Sequence, residues 1–182
     1  MSAGRRVIGA ALCALIAAIL LAACGGAKEK QNADEPEGDW AVRVVDASFP
    51  GRQRLADEVE LRITVRNEDN RSIPNLAVTV DGFSRREEGV NSDPYRPLWV
   101  IDEPPADSAT AHTNTWAVGE VPSGEQRTLT WKVSAVRAGT YTLRWRVAAG
   151  LNGKARALEG GQAPSGSFIA RVSEQTHPVK VD

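Results

Sequence analysis

Cysteine, methionine and histidine are almost missing from this chain of 182 residues, and each scarcity excludes a class of chemistry. The two cysteines, Cys13 and Cys24, both fall in the first 24 residues. The remainder therefore has no disulfide, no cysteine zinc site and no thiol nucleophile. The one methionine is Met1, which rules out a Met/His copper site. His112 and His177 have no ligand spacing and no His-Glu-x-x-His pattern, so they read as solvated imidazoles. There is no Gly-x-Ser-x-Gly elbow and no glycine-rich phosphate loop opening a helix. A basic excess is lacking too: the net charge is −1, which argues against nucleic acid as a partner. Asp93, Asp102, Glu103 and Asp107 lack the alternating spacing of a calcium loop and read as solubilising loop charges. No enzyme activity, metal or cofactor is expected.

What is present begins with a leader. Arg5 and Arg6 precede an uncharged run, Val7 to Cys24, that ends in small residues, the pattern of a secretory signal. Its last four residues, Leu21-Ala22-Ala23-Cys24, resemble the bacterial lipobox. The resemblance implies cleavage before Cys24 and a diacylglycerol on its thiol, with residues 1–23 as the lipoprotein signal peptide. The 18-residue run also just reaches membrane-spanning length, which leaves an uncleaved anchor as the alternative. Loss of residues 1–23 leaves 20 basic and 23 acidic side chains, a net of −3. Residues 24–39 then comprise the lipidated Cys24 and a stretch with no apolar side chain larger than alanine and no periodicity. That stretch reads as a disordered tether spanning about 20 Å. The expected location is extracytoplasmic, on a bacterial membrane.

Beyond the tether, two-residue alternation takes over and helical periodicity is absent. The clearest stretch is Gln126 to Gly150. Leu129, Trp131, Val133 and Ala135 share one face of a first strand, and Tyr141, Leu143, Trp145 and Val147 share one face of a second. Such alternation means sheet with one buried face and one wet face. Earlier strands follow from Trp40, Val42 and Val44, from Val59, Leu61, Ile63 and Val65, and from Leu76, Val78 and Val80. Ser167–Val172 supplies a late strand, Lys154–Leu158 a weak ribbon, and Pro178–Val181 a possible short addition. Between residues 82 and 124 the pattern weakens under charges and prolines, which predicts an irregular insertion. About seven short strands separated by turns point to an all-β sandwich over residues 40–182.

Three motifs resemble those of CARDB and related bacterial immunoglobulin-like domains. They are Val65-Arg66-Asn67-Glu68-Asp69 leading to Ile73–Val78, Val121-Pro122-Ser123-Gly124-Glu125 leading to Leu129-Thr130-Trp131, and Ala138-Gly139-Thr140-Tyr141-Thr142-Leu143. The resemblance implies a single immunoglobulin-like sandwich in which Tyr141 is a corner tyrosine, its hydroxyl turned back to a backbone group. A hairpin at Arg137–Gly139 would pair Trp131 with Trp145 in one sheet. The immunoglobulin pattern favours an arch, with the two indoles meeting from opposite sheets.

The remaining candidates are Tyr95, Trp99 and Trp116, in or beside the insertion. Exposed aromatics stack on sugars or anchor interfaces, whereas buried ones would plug the end of the sandwich. The leading expectation is a membrane-anchored, non-catalytic protein-interaction or structural module, with another envelope protein as partner. A carbohydrate or cell-wall glycan binding module is the alternative. Substrate-binding lipoproteins are normally longer two-domain α/β proteins. The lipobox reading predicts that Cys24→Ser protein keeps its leader and gains no lipid. Intact mass and membrane partitioning check this, and a variant that matures to the native mass and partitions as before would refute it.

Overall fold

A computed structural model describes residues 34–86 and 95–175. These residues form β-strands and contain no helix. The strands are β1 (Gly38–Ser48), β2 (Arg52–Arg54), β3 (Glu58–Asn67), β4 (Ala77–Asp81), β5 (Ser84–Arg86), β6 (Tyr95–Pro97), β7 (Trp99–Glu103), β8 (Ala109–His112), β9 (Thr115–Ala117), β10 (Gln126–Ala135), β11 (Gly139–Ala148), β12 (Ala155–Leu158) and β13 (Ser165–Ser173). One sheet has the order β12-β1-β3-β10-β7 and the other β2-β13-β11-β4-β9-β8, while β5 and β6 make a separate ribbon. The fold is an immunoglobulin-like β-sandwich with more strands than the sequence pattern suggested. The surplus is short: three-residue segments such as β2, which adds to one edge by parallel pairing with β13, carry too little pattern to read, whereas β12, parallel to β1, falls on the ribbon expected at Lys154–Leu158.

The alternating residues do what their spacing requires. Leu61, Ile63 and Val65 of β3, Leu129, Trp131, Val133 and Ala135 of β10, and Leu143 and Val147 of β11 are buried between the sheets. Full burial of one large aliphatic side chain contributes about 1.5–3 kcal/mol, so these strands carry much of the folding energy. Thr64 and Thr128, on the other face, join hydroxyls at 2.9 Å across the β3–β10 pair. β4 departs from alternation: Ala77, Val78, Thr79 and Val80 are all buried, and the Thr79 hydroxyl meets that of Thr115 on β9 at 2.9 Å.

The chain crosses between the sheets after β10. β10 pairs with β3 and β7, β11 with β13 and β4, so Arg137–Gly139 is an arch and not a hairpin. Tyr141 acts as its corner: the hydroxyl donates to the Ala138 carbonyl at 2.7 Å. Gly139 has φ +149°, and a Cβ there would stand 2.7 Å from the Tyr141 hydroxyl oxygen, so glycine serves both the backbone and the tyrosine. The expected meeting of Trp131 and Trp145 is corrected. The Trp131 ring meets Trp116, edge to face, with centroids 5.3 Å apart. Trp145 is only partly buried and lies over Gly166, its cross-strand partner on β13.

Two boundaries also move. Residues 82–124 are no mere insertion, because β7 closes the edge of the first sheet and β8 and β9 that of the second. The tether does not run to residue 39: β1 starts at Gly38, whose amide donates to the Lys154 carbonyl, and Asp39 pairs with Arg156 at 2.7 Å. Residues 1–33, Cys24 among them, lie outside the described residues, as does Pro178–Val181.

The corner predicts a graded response. Tyr141→Phe, which keeps the ring but loses the hydroxyl, is expected to cost about 1 kcal/mol. Gly139→Ala is expected to cost more, on the order of 1–3 kcal/mol. Urea midpoints at unchanged slope measure both, and native midpoints in both variants would show that the corner contributes nothing.

Candidate functional site

Two of the three aromatic candidates, Trp99 and Trp116, are interior. Trp99, on β7, is 2% exposed and donates its indole N–H to Gln53 Oε1 at 2.7 Å. Gln53 is itself buried and donates to the Pro50 carbonyl, so the pair closes a polar link inside the core. The Trp99 ring packs edge-on against Phe49 and Tyr141, with centroids 5.6 and 5.5 Å apart. Trp116, on β9, is 4% exposed and wedged between Phe83 and Trp131. Both indoles are thus withdrawn from the surface and fill the sandwich, the plug arrangement; neither forms a stacking platform. The two belong to separate ring clusters. The backbone of Tyr95 lies in the β5–β6 ribbon.

The acidic loop residues part company. Asp102 accepts from the Ser134 hydroxyl at 2.7 Å, and Glu103 pairs with Lys132 at 2.9 Å. Asp107 has φ +55° in the turn before β8. Asp93 and His177 lie outside the described residues. His112 is exposed at the end of β8. Among the described residues no group of three or more His, Cys, Asp or Glu is placed to hold a metal ion.

A polar hub that the sequence showed only as a turn ties the loops at one end of the sandwich. Asn67 is fully buried at the end of β3. Its amide nitrogen donates to the Arg71 and Val121 carbonyls, and its oxygen accepts from the Asp69 amide. Asp69 in turn accepts from the Ala41 and Arg71 amides and from the Arg71 side chain. The Arg71 guanidinium lies over Trp40, 4.6 Å from the ring centroid, and the Trp40 N–H donates to the Ser72 carbonyl. Hydrogen bonds from Arg71 hold the Asp69 carboxyl at about 2, below its ordinary 3.8, against an opposing push from partial burial and with help from the two amides.

The outer face of the second sheet has a different character. On β13, Ile169 and Arg171 point outward, and Ile169 is 68% exposed. Beside them stand Arg144 and Arg146 of β11 and, across the parallel pairing of Arg171 with Arg52, Arg52 and Arg54 of β2. Arg146 pairs with Asp81 at 2.8 Å. A groove lined by Arg52, Arg54, Asp57, Arg171 and Ser173 runs along this edge. The sequence hides this face, because its arginines come from three strands that are not consecutive in the chain.

No protein-family model and no curated protein matches the chain. Among solved structures it is similar to the CARDB domain of a Pyrococcus furiosus protein, at 14% identity over 75% of this chain and 93% of that one, with a TM-score of 0.44. It is also similar to Escherichia coli alpha-2-macroglobulin from domain MG7 to the C-terminus, at 18% identity over 73% of this chain and 16% of that one, with a TM-score of 0.46. The fold assignment rests on the two sheets themselves.

The hub predicts acid sensitivity of a definite sign. A carboxyl whose folded pKa is depressed contributes stability that is complete above its unfolded pKa and is lost as pH falls through the folded one. Asp69→Asn should cost about 1–2 kcal/mol at neutral pH. The gap to wild type should close between pH 3.8 and about 2. Urea midpoints across that range measure it, and a gap independent of pH would show that the Asp69 charge is not the stabilising element.

Proposed function

We propose that this chain is a lipoprotein anchored through Cys24 on the extracytoplasmic side of a bacterial membrane, and that its sandwich is a non-catalytic interaction module for an acidic protein partner. The observation that carries the partner is the outer face of the second sheet, where Arg144 and Arg171 stand nearest the exposed Ile169 in register and Arg52, Arg54 and Arg146 extend the same face along β2 and β11. An apolar centre rimmed by arginine is the composition of an interface, since arginine makes planar charge-assisted contacts with carboxylates and an exposed isoleucine gains from burial. A glycan-binding role has lost its aromatic platform with the burial of Trp99 and Trp116. The lipobox at Leu21–Cys24 supports the anchor.

Crosslinked capture from intact cells tests the reading. Native lipidated protein is compared with an Arg144→Glu, Arg171→Glu variant, whose changes point outward and leave the core intact. A specific envelope protein captured by the native form alone is the expected result. Equal capture by both forms removes the arginine face from the interaction. Binding of native protein to anionic vesicles, with no protein captured, would make the face a lipid-binding surface and overturn the protein-partner reading.

A further inference from the structure

One side chain from the tether is held in a way that nothing in the interaction reading requires. Glu35 precedes β1, and its carboxylate accepts four backbone N–H groups from a single loop. Oε2 takes the amides of Leu151 and Asn152 at 2.6 and 2.7 Å, and Oε1 takes those of Lys154 and Ala155, both at 2.9 Å. The loop is shaped for such an approach. Gly150 permits it, because a Cβ there would collide with the Glu35 carboxylate. Gly153, at φ +77°, turns the chain between the two pairs of donors. Successive amides converging on one anion form a nest, which recognises charge and shape and needs no cationic side chain. Burial alone would push the Glu35 carboxyl up, yet the four amides outweigh it and hold the carboxyl below its ordinary value.

Among the described residues, little else holds the chain beside Glu35. Asp34, Pro36 and Glu37 are exposed, and pairing with β12 begins only at Gly38. The carboxylate can therefore leave without unzipping β1, and the four amides it vacates would face water. We propose that the loop from Gly150 to Ala155 is a carboxylate-binding site and that Glu35 is its resident, exchangeable occupant. It is a latch that ties the tether to the sandwich and that an acidic group of a partner can replace. This inference is independent of the arginine face, which lies on other strands.

Acetate is the probe, and the full chain in detergent micelles is the sample. Glu35→Ala protein titrated with acetate should show saturable amide shifts at Leu151, Asn152, Lys154 and Ala155. Wild-type protein should show none over the same range, and Gly150→Ala added to Glu35→Ala should abolish the response. In the absence of acetate, Glu35→Ala should speed hydrogen exchange at the four amides about tenfold or more. No shift in Glu35→Ala, an equal shift in wild type, or a response surviving Gly150→Ala would each overturn the proposal. If Glu35→Ala disorders the loop, wild-type protein taken down in pH decides. The four amides must then move together in one step, and separate or absent movements would sink the idea.

Discussion

The sandwich depends on contacts between its sheets, because the chain changes sheet at nearly every connection. Within the two main sheets only β8 and β9 are both consecutive and paired. Local hairpins therefore do little to set the register. The aromatic side chains do the joining across the gap: Trp99 of β7 against Tyr141 of β11, and Trp131 of β10 against Trp116 of β9. Such edge-to-face pairs contribute about 0.5–1.5 kcal/mol beyond the area they bury. The indole of Trp131 is fully buried, and among the described residues its N–H has no hydrogen-bond partner. An unpaired buried donor costs about 1–3 kcal/mol. Burial of the largest side chain in the centre of β10 outweighs that cost, since such a ring removes about 150–250 Å² from water.

What could be read from the sequence follows from the range of the forces involved. Alternation is a two-residue property, so β3, β10, β11 and β13 were legible, and so was the arch, through Gly139 and Tyr141. The region from 82 to 124 was not, because its strands are short and borrow their order from neighbours far along the chain. β7 pairs with β10, and β9 with β4. The same limit hid the polar links. Gln53 lies in no alternating stretch, yet it is buried and bonded to Trp99, 46 positions away. Glu35 looked like one more tether charge, and its four donors lie more than 110 positions on. The one local trace of that site was Gly150-Leu151-Asn152-Gly153, a glycine-rich turn whose meaning depends on what docks there.

Trp99 and Trp116 show how the same residue types change meaning with depth. Tryptophan in a proline-rich stretch suggests a ligand platform only while its face is open to solvent. Here each ring has neighbours on its edge or face and, for Trp99, a paired N–H. A glutamine that satisfies the indole inside the core makes Trp99 a structural anchor of the edge strand β7, which a bare aliphatic residue could not orient as well.

With Trp99 and Trp116 inside, the outer faces of the two sheets remain to be compared, and they differ. The first sheet carries charges that answer one another: Arg43 with Glu68, Arg62 with Glu60, Arg127 with Glu125, and Lys132 with Glu103. Exposed pairs of this kind add little stability, but in each of them opposite charges stand side by side. On β2, β13 and β11 of the second sheet the arginines outnumber their acidic neighbours, and Ile169 stands among them uncovered. A chain that is acidic as a whole has thus gathered positive charge on one side of one sheet. Selection for solubility alone would scatter that charge, because a single-sign patch around an exposed isoleucine invites association.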